Sequence, residues 1–185
     1  MSRMKEKKLL REKLSAAMQE LDSLKKRLDG KEKQGTQKGV VALSGLMFIA
    51  GFVVAGLDFR FGWSKVSVWV IAAASVLFLI AYALYAEVMR ENAYLSRTIK
   101  VEEGQKVVDT GMYGIVRHPM YAVTILLFLM IPLVLGSWYA LIAFAFYPAI
   151  IILRLKDEEE LLTKELPGYA EYKQKVKYRI IPFIW

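Results

Sequence analysis

The sequence predicts an all-α integral membrane protein with about four transmembrane helices, an N-terminal amphipathic or coiled-coil helix and a cytoplasmic C-terminal segment. Hydrophobic residues make up 56% of the chain and charged residues 24%. These two classes are segregated along the sequence, because uncharged runs of membrane-spanning length alternate with charged segments. The chain contains no cysteine, which excludes disulfides and thiolate chemistry.

Four apolar runs define the predicted spans. Residues 40–57 and 66–86 contain no charged residue, and each is close to the ~20 apolar residues that cross a bilayer. Residues 119–135 and 138–153 flank a Gly136-Ser137 turn and are shorter. At ~1.5 Å per residue, roughly sixteen residues rise ~24 Å against a hydrocarbon core of ~30 Å. We therefore expect the last two spans to form a thin or tilted hairpin.

The positive charges predict the orientation. Residues 1–38, 90–117 and 154–179 hold 24 of the 26 Lys and Arg residues. With four spans these three segments lie on one face, and cytoplasmic loops are the ones that retain positive charge. Both termini and the segment around His118 are therefore predicted to be cytoplasmic. The net charge of +8 suits a membrane with anionic lipid, and we expect no nucleic-acid partner.

Two domains are predicted, residues 1–38 and residues 39–185. The first contains apolar residues spaced alternately by four and three, which is a heptad pattern about three repeats long: Leu10, Leu14, Ala17, Leu21, Leu24 and Leu28. Two interpretations stay open. The helix either lies as an amphipathic helix on the membrane or on its own protein, or it forms a homodimeric coiled coil.

The one histidine, His118, lies in a polar stretch immediately before the third span. A histidine without cysteines or suitably spaced acids is a poor metal ligand, so we expect no metal. Two roles stay open. His118 caps the helix that Pro119 begins, or it helps to bind an anionic group near the free N–H groups of that helix.

Arg154 and Glu158 follow the fourth span and are separated by one helical turn, so they share a helix face. Arg154 either anchors the span at the membrane surface or projects with Glu158 as a binding pair. Glu158, Glu159 and Glu160 otherwise look like the solvated start of a new helix. The sequence has no glycine-rich nucleotide loop, P-loop or zinc-protease motif, so none of these chemistries is supported.

Polar residues in the second half of the chain follow a defined order: Gly111-x-Tyr113-x-x-x-Arg117-His118-Pro119-x-Tyr121, an apolar hairpin, Arg154-x-x-x-Glu158-Glu159-x-x-Leu162, Gly168-Tyr169-x-x-Tyr172 and Ile181-Pro182. This set, within roughly residues 101–185, resembles the isoprenylcysteine carboxyl methyltransferase family and its bacterial relatives. The resemblance implies an integral-membrane methyltransferase of a bacterial cytoplasmic membrane that uses S-adenosyl-L-methionine. It also implies that the cofactor binds between the hairpin and the cytoplasmic segment 154–185.

The resemblance also implies individual roles. The pocket would be lined by the backbone of a strand-like stretch and by four side chains: Gln105, Lys106, Val107, Val108, Tyr113, His118, Tyr121 and Glu158. Arg154 would bind the substrate. If the methyl acceptor is a carboxylate, Arg154 holds it bidentately and no general base is needed. If the acceptor is an amine or hydroxyl, Glu158 or Glu159 is the candidate base.

The expected partners are a lipophilic methyl acceptor and membrane lipid. Many relatives carry a glycine where this chain has Ala122-Val123, which would narrow the access of the acceptor, so the acceptor's identity does not follow from the resemblance. Two other functions stay open: an NADPH-dependent membrane reductase of the sterol-reductase type, and a non-catalytic coiled-coil membrane adaptor.

Overall fold

A computed structural model describes the backbone of residues 2–92, 94, 101 and 104–184. In the first helix it describes the side chains of residues 7–8, 11–21, 23–24 and 38–61. The chain divides into two compact units, Met1–Gly39 and Val40–Trp185. The first unit is helical wherever it is described. Its heptad residues Leu14, Leu21 and Leu24 are exposed, while the side chains of Leu10 and Leu28 lie outside the described residues.

The predicted all-α class is confirmed for the described part of the chain, which contains no strand. Six α-helices and one short 3₁₀ turn at Gly111–Gly114 occur in order: α1 Ser2–Phe61, α2 Val68–Glu91, α3 Pro119–Val134, α4 Trp138–Phe144, α5 Tyr147–Glu165 and α6 Tyr169–Lys175. The stretch 105–109 is irregular rather than strand-like.

Within the described residues, three segments are long and apolar enough to cross a membrane, so the expected count of four is not confirmed: Lys38–Phe61, Val68–Glu91 and Trp138–Glu165. The remaining expected span corresponds to α3, which has 16 residues. Its length is less than the thickness of a ~30 Å hydrocarbon core. The protein is therefore an integral membrane protein whose third apolar helix does not reach the usual spanning length. Ser67 caps the start of α2 by accepting a hydrogen bond from the Trp69 amide, which closes the loop after α1.

The last span and the acidic segment differ from the prediction. The expected span at residues 138–153 is split between α4 and α5. Pro148 explains the interruption, because proline has no amide hydrogen to donate to the preceding helical turn. The acidic run does not start a new helix, since α5 continues without a break from Tyr147 through Arg154 to Glu165. The membrane helix and the acidic residues are thus one rigid element.

The apolar core of the second unit joins α1, α3, α4 and α5 around the fully buried Phe144. Phe48 meets Phe144 edge to face, with ring centroids 5.5 Å apart. A Cβ at Gly51 would lie 2.4 Å from the Phe144 ring, so only glycine permits this approach. Gly45 and Gly56 have no comparable neighbour.

Asp58, near the end of α1, links two loops through hydrogen bonds. Its carboxylate is buried and accepts hydrogen bonds from the Ser64 amide at 2.7 Å and from the Ser137 hydroxyl. Ser64 in turn accepts a hydrogen bond from the Trp138 amide at 3.2 Å. The loop after α1 and the turn before α4 are therefore held by one polar cluster at the end of the bundle away from His118.

Candidate functional site

His118 stands immediately before α3, at the N-cap position. Its side chain makes no capping hydrogen bond, and its backbone carbonyl instead accepts from the Tyr121 and Ala122 amides at 3.1 and 3.2 Å. Its buried ring stacks on Tyr121, with centroids 5.6 Å apart, and places Nε2 3.4 Å from Glu159 Oε1. The side chain is thus directed toward other polar groups rather than used to cap α3.

Glu159 holds three separate segments together. Its buried carboxylate accepts hydrogen bonds from Arg117 Nε at 2.6 Å and from Arg179 Nε at 2.9 Å. Because α5 is continuous, Glu159 lies on its buried face one residue after Glu158, which points elsewhere. A buried carboxylate surrounded by two guanidinium groups and an imidazole is stabilised in its charged form.

The C-terminal segment is bound to the start of α3 through its backbone. The Arg117 amide donates to the Tyr178 carbonyl at 2.9 Å, and the His118 amide donates to the Arg179 carbonyl at 2.8 Å. The Arg117 guanidinium adds hydrogen bonds to the carbonyls of Val176 and Lys177, both at 2.8 Å. This network sets the position of His118 relative to α5 and to the end of the chain.

A second polar arrangement joins α3 to α5 through Tyr121. Arg154 Nε donates to Tyr121 Oη at 3.1 Å, and the same hydroxyl donates to the Glu158 carboxylate. Tyr121 therefore stands between the positive and the negative group that the sequence places one helical turn apart. Arg154 and Glu158 are connected through Tyr121 by two successive hydrogen bonds, the first donated by Arg154 and the second by Tyr121.

Tyr113 makes a third set of polar contacts. Asn92 Nδ2 donates to Tyr113 Oη at 3.0 Å, and the Tyr172 hydroxyl donates to the Tyr113 carbonyl at 2.7 Å. Burial raises the pKa of the Tyr113 phenol to about 12, so it is neutral at physiological pH. Gly111, at φ +50, allows this turn to approach α2, because a Cβ there would overlap the Glu91 carboxylate.

These elements enclose an open pocket of about 830 Å³, a volume that includes the solvent-filled space at its mouth. It is lined by residues that the sequence nominated for binding: Gln105, Lys106, Val107, Val108, Tyr113, His118, Tyr121, Arg154 and Glu158. Glu159 does not line it. The structure thus brings nine of the ten nominated residues together, while the roles assigned to each stay predictions.

The pocket also contains residues that the sequence did not nominate: Asn92, Tyr94, Met120, Leu162, Leu166, Tyr169 and Tyr172. Leu162 and Leu166 follow Glu158 at intervals of four, so helical spacing indicates that they share its face. Tyr169 and Tyr172 are part of the ordered set of polar residues, which assigns neither a role. No sequence pattern marks Asn92, which follows α2 directly.

The chain is similar to known proteins over about half of its length. The model of the isoprenylcysteine carboxyl methyltransferase (ICMT) family matches residues 68–164, just over half of the chain. Delta(14)-sterol reductase from Mus musculus is 32% identical over 91 residues, which cover 48% of this chain and 22% of that protein. The uncharacterized protein YpbQ from Bacillus subtilis (strain 168) is 30% identical over 97 residues, which cover 52% of this chain and 58% of that protein. The chain therefore spans less than two thirds of either relative.

Proposed function

The chain belongs to the isoprenylcysteine carboxyl methyltransferase family, and we propose that it is an S-adenosylmethionine-dependent methyltransferase that acts on a lipophilic acceptor at the membrane. We further propose that the acceptor group is a carboxylate. The observation that carries this proposal is the convergence of three distant segments on one pocket, in which Tyr121 links Arg154 to Glu158.

The pocket's functional groups fit the proposed cofactor. S-adenosylmethionine has a carboxylate, an ammonium group, ribose hydroxyls, an apolar adenine ring and a sulfonium. Lys106 supplies positive charge for the carboxylate, since the Arg117 guanidinium is already bound to Glu159. Glu158 supplies an acceptor for the ammonium or the hydroxyls. The aromatic rings of Tyr113 and Tyr121 are suitable neighbours for a sulfonium, which is a cation. The buried hydroxyl of Tyr169, which has no hydrogen-bond partner among the described residues, is a further group that a ligand would satisfy.

When bound, S-adenosylmethionine supplies an electrophilic methyl carbon, whose bond to sulfur breaks with the electron pair left on the thioether as the acceptor oxygen bonds to that carbon. The chain's residues have to align the acceptor and exclude water. Arg154 holds the acceptor carboxylate, and Tyr121 sets the direction of the guanidinium. A carboxylate is already ionised at neutral pH, so this acceptor needs no general base.

Glu158 is the candidate base for the case of an amine or hydroxyl acceptor, because it lines the pocket. Glu159 is less suited to accept a proton from substrate, since Arg117 and Arg179 already occupy its oxygens. Arg154 and Glu158 belong to the helix that spans the membrane, and this continuity supports an acceptor whose apolar tail stays in lipid while its polar end reaches the pocket.

The second candidate is an NADPH-dependent reductase, and the observation that favours it is the similarity to a delta(14)-sterol reductase. That match covers a small part of the reductase. Both candidates use the same pocket, because each needs a site for an adenine-containing cofactor next to a lipophilic substrate. A non-catalytic adaptor is the third candidate, and it requires no ligand at all.

Calorimetric titration of the detergent-purified chain separates these candidates. We expect S-adenosylmethionine and its demethylated product, S-adenosylhomocysteine, to bind and to raise the unfolding temperature, and NADPH to have no effect. Binding of NADPH alone would favour the reductase function instead. A chain that binds none of the three would overturn the methyltransferase proposal and favour the adaptor.

We also propose the setting in which the protein works. Both termini and the pocket face the cytoplasm of a bacterium, an arrangement in which the shorter helix α3 crosses the membrane together with the three longer segments. The Lys and Arg residues, which are concentrated in the segments that flank the pocket, support this orientation. The N-terminal helix pairs with a second copy through its heptads, in which Leu14, Leu21 and Leu24 are exposed in the single chain. Reaction of introduced cysteines with a membrane-impermeant reagent tests the first proposal, and the mass of the chain in detergent tests the second.

A further inference from the structure

The Tyr169 hydroxyl is an anomaly in the packing of the pocket wall. Among the residues that the structure describes, Tyr169 Oη is the buried side-chain polar atom without a hydrogen-bond partner. The residue is 4% exposed, so bulk water does not supply the missing partner. Buried tyrosine hydroxyls ordinarily find a partner, because burial without one is costly.

The Tyr169 ring is held firmly in place. It begins α6 directly after Gly168, whose φ of +84 is in the left-handed region. The ring packs in an apolar cluster with Leu166, Tyr172 and Val176, against Val107 and Leu162. Because the cluster surrounds the ring, the hydroxyl cannot swing out to the surface to find water.

Tyr172 provides the contrast within the same short helix. Both tyrosines are buried, and both line the pocket. The Tyr172 hydroxyl is used inside the protein, where it donates to the Tyr113 carbonyl at 2.7 Å. The Tyr169 hydroxyl has no such use, so of the two it is the one that a ligand would satisfy.

We propose that Tyr169 Oη donates a hydrogen bond to the nucleoside half of S-adenosylmethionine, an inference that rests on the proposed function. The wall around Tyr169 is apolar, since Val107, Leu162 and Leu166 line the pocket beside it. Such a wall suits the flat adenine ring, whose nitrogens accept hydrogen bonds. The charged amino-acid half of the cofactor is better matched to the charged side chains of Lys106 and Glu158, which also line the pocket.

The chemistry of the phenol agrees with a donor role. Burial is the main reason that the pKa of Tyr169 lies above its ordinary value, and the negative charges of Glu159 and Glu158 raise it further. The hydroxyl therefore keeps its proton at physiological pH. A protonated phenol acts as a hydrogen-bond donor, and a neutral nitrogen or oxygen of the nucleoside is a suitable acceptor.

The test compares Tyr169→Phe with the matched control Tyr172→Phe in the full chain. Calorimetry measures the Kd of S-adenosylhomocysteine and of methylthioadenosine, which lacks the amino-acid half. Without ligand, we expect Tyr169→Phe to keep the wild-type unfolding temperature and Tyr172→Phe to lower it. With ligand, we expect Tyr169→Phe to raise the Kd of both compounds about tenfold, the effect of one lost hydrogen bond in a dry site.

The other results have defined meanings. An unchanged Kd in Tyr169→Phe overturns the inference, because the hydroxyl is then satisfied by a buried water. If Tyr169→Phe weakens the affinity for S-adenosylhomocysteine alone, the contact belongs to the amino-acid half and the inference is overturned. A wild-type chain that does not bind methylthioadenosine has the same meaning. If Tyr169→Phe lowers the unfolding temperature as much as Tyr172→Phe does, the Tyr169 hydroxyl has a structural role. A wild-type chain that binds neither compound refutes the proposed function itself.

Discussion

Arg117 Nε and Glu159 Oε1 lie 2.6 Å apart, although 42 positions separate the two residues in the sequence. Both side chains are buried. The other oxygen of the same carboxylate accepts from Arg179 at 2.9 Å, so one side chain of α5 ties the segment before α3 to the C-terminal segment. The pocket depends on this contact, because His118 is adjacent to Arg117 in the chain and its ring lies beside the same carboxylate.

Glu159→Gln should destabilise the protein by about 3 kcal/mol, because removing one member of a buried ion pair leaves its partners with uncompensated charge. Thermal or denaturant unfolding in detergent measures the loss. Glu160→Gln is the matched control, since Glu160 is exposed and pairs with Lys164 at the surface. That control should change the free energy of unfolding by less than about 1 kcal/mol. Equal effects of the two substitutions would refute the central role of Glu159.

His118→Ala and Arg154→Ala should differ in which step they impair. We expect His118→Ala to weaken binding of S-adenosylmethionine, because His118 lines the pocket beside Tyr121. Arg154→Ala should leave cofactor binding nearly intact and abolish turnover of a carboxylate acceptor. Calorimetry and a methyl-transfer assay on the same preparations measure the two effects. If both variants lose cofactor affinity equally, the substrate role proposed for Arg154 is wrong.

Tyr121→Phe should lower the turnover number on the order of tenfold to a hundredfold, because small losses of alignment are costly in a displacement reaction. The substitution keeps the ring that stacks on His118 and removes the hydroxyl that joins Arg154 to Glu158. Steady-state kinetics checks this expectation. Tyr139→Phe serves as the control, since Tyr139 is exposed near the opposite end of the bundle. Wild-type turnover in Tyr121→Phe would mean that the hydroxyl does not align the pair.

Gly51→Ala should be less stable than Gly56→Ala by roughly 1–3 kcal/mol, the usual penalty for overpacking a core. The new methyl group at Gly51 would overlap the fully buried Phe144 ring, whereas no atom lies within 4 Å of a Cβ at Gly56. Alanine favours helix over glycine at both positions, so that contribution cancels in the comparison. Unfolding temperatures in one detergent provide the measurement. Two variants of equal stability would show that Phe144 yields easily.

Local patterns in the sequence were sufficient to predict the long apolar helices, and the resemblance to a methyltransferase family predicted most of the pocket. The uncharged runs around Val40 and Val66 mark the first two spans, because hydropathy depends on neighbouring residues alone. The motif positions of Tyr113, Tyr121 and Arg154 point to one site. The same patterns placed a helix start at Glu158 and missed the break before Pro148, because they did not show how the apolar and acidic segments join.

The sequence by itself determined that this chain is an all-α membrane protein and which polar residues flank its apolar hairpin, since composition and spacing are properties of adjacent positions. Only the tertiary structure decided how those residues are used. Glu159 is a buried carboxylate that connects three segments, and Asp58 links two loops. Tyr169 has a buried hydroxyl without a hydrogen-bond partner among the described residues. The physical reason is that a hydrogen bond depends on which groups meet across distant segments. Helical periodicity specifies the face on which a side chain lies and leaves its neighbour on the other helix undetermined.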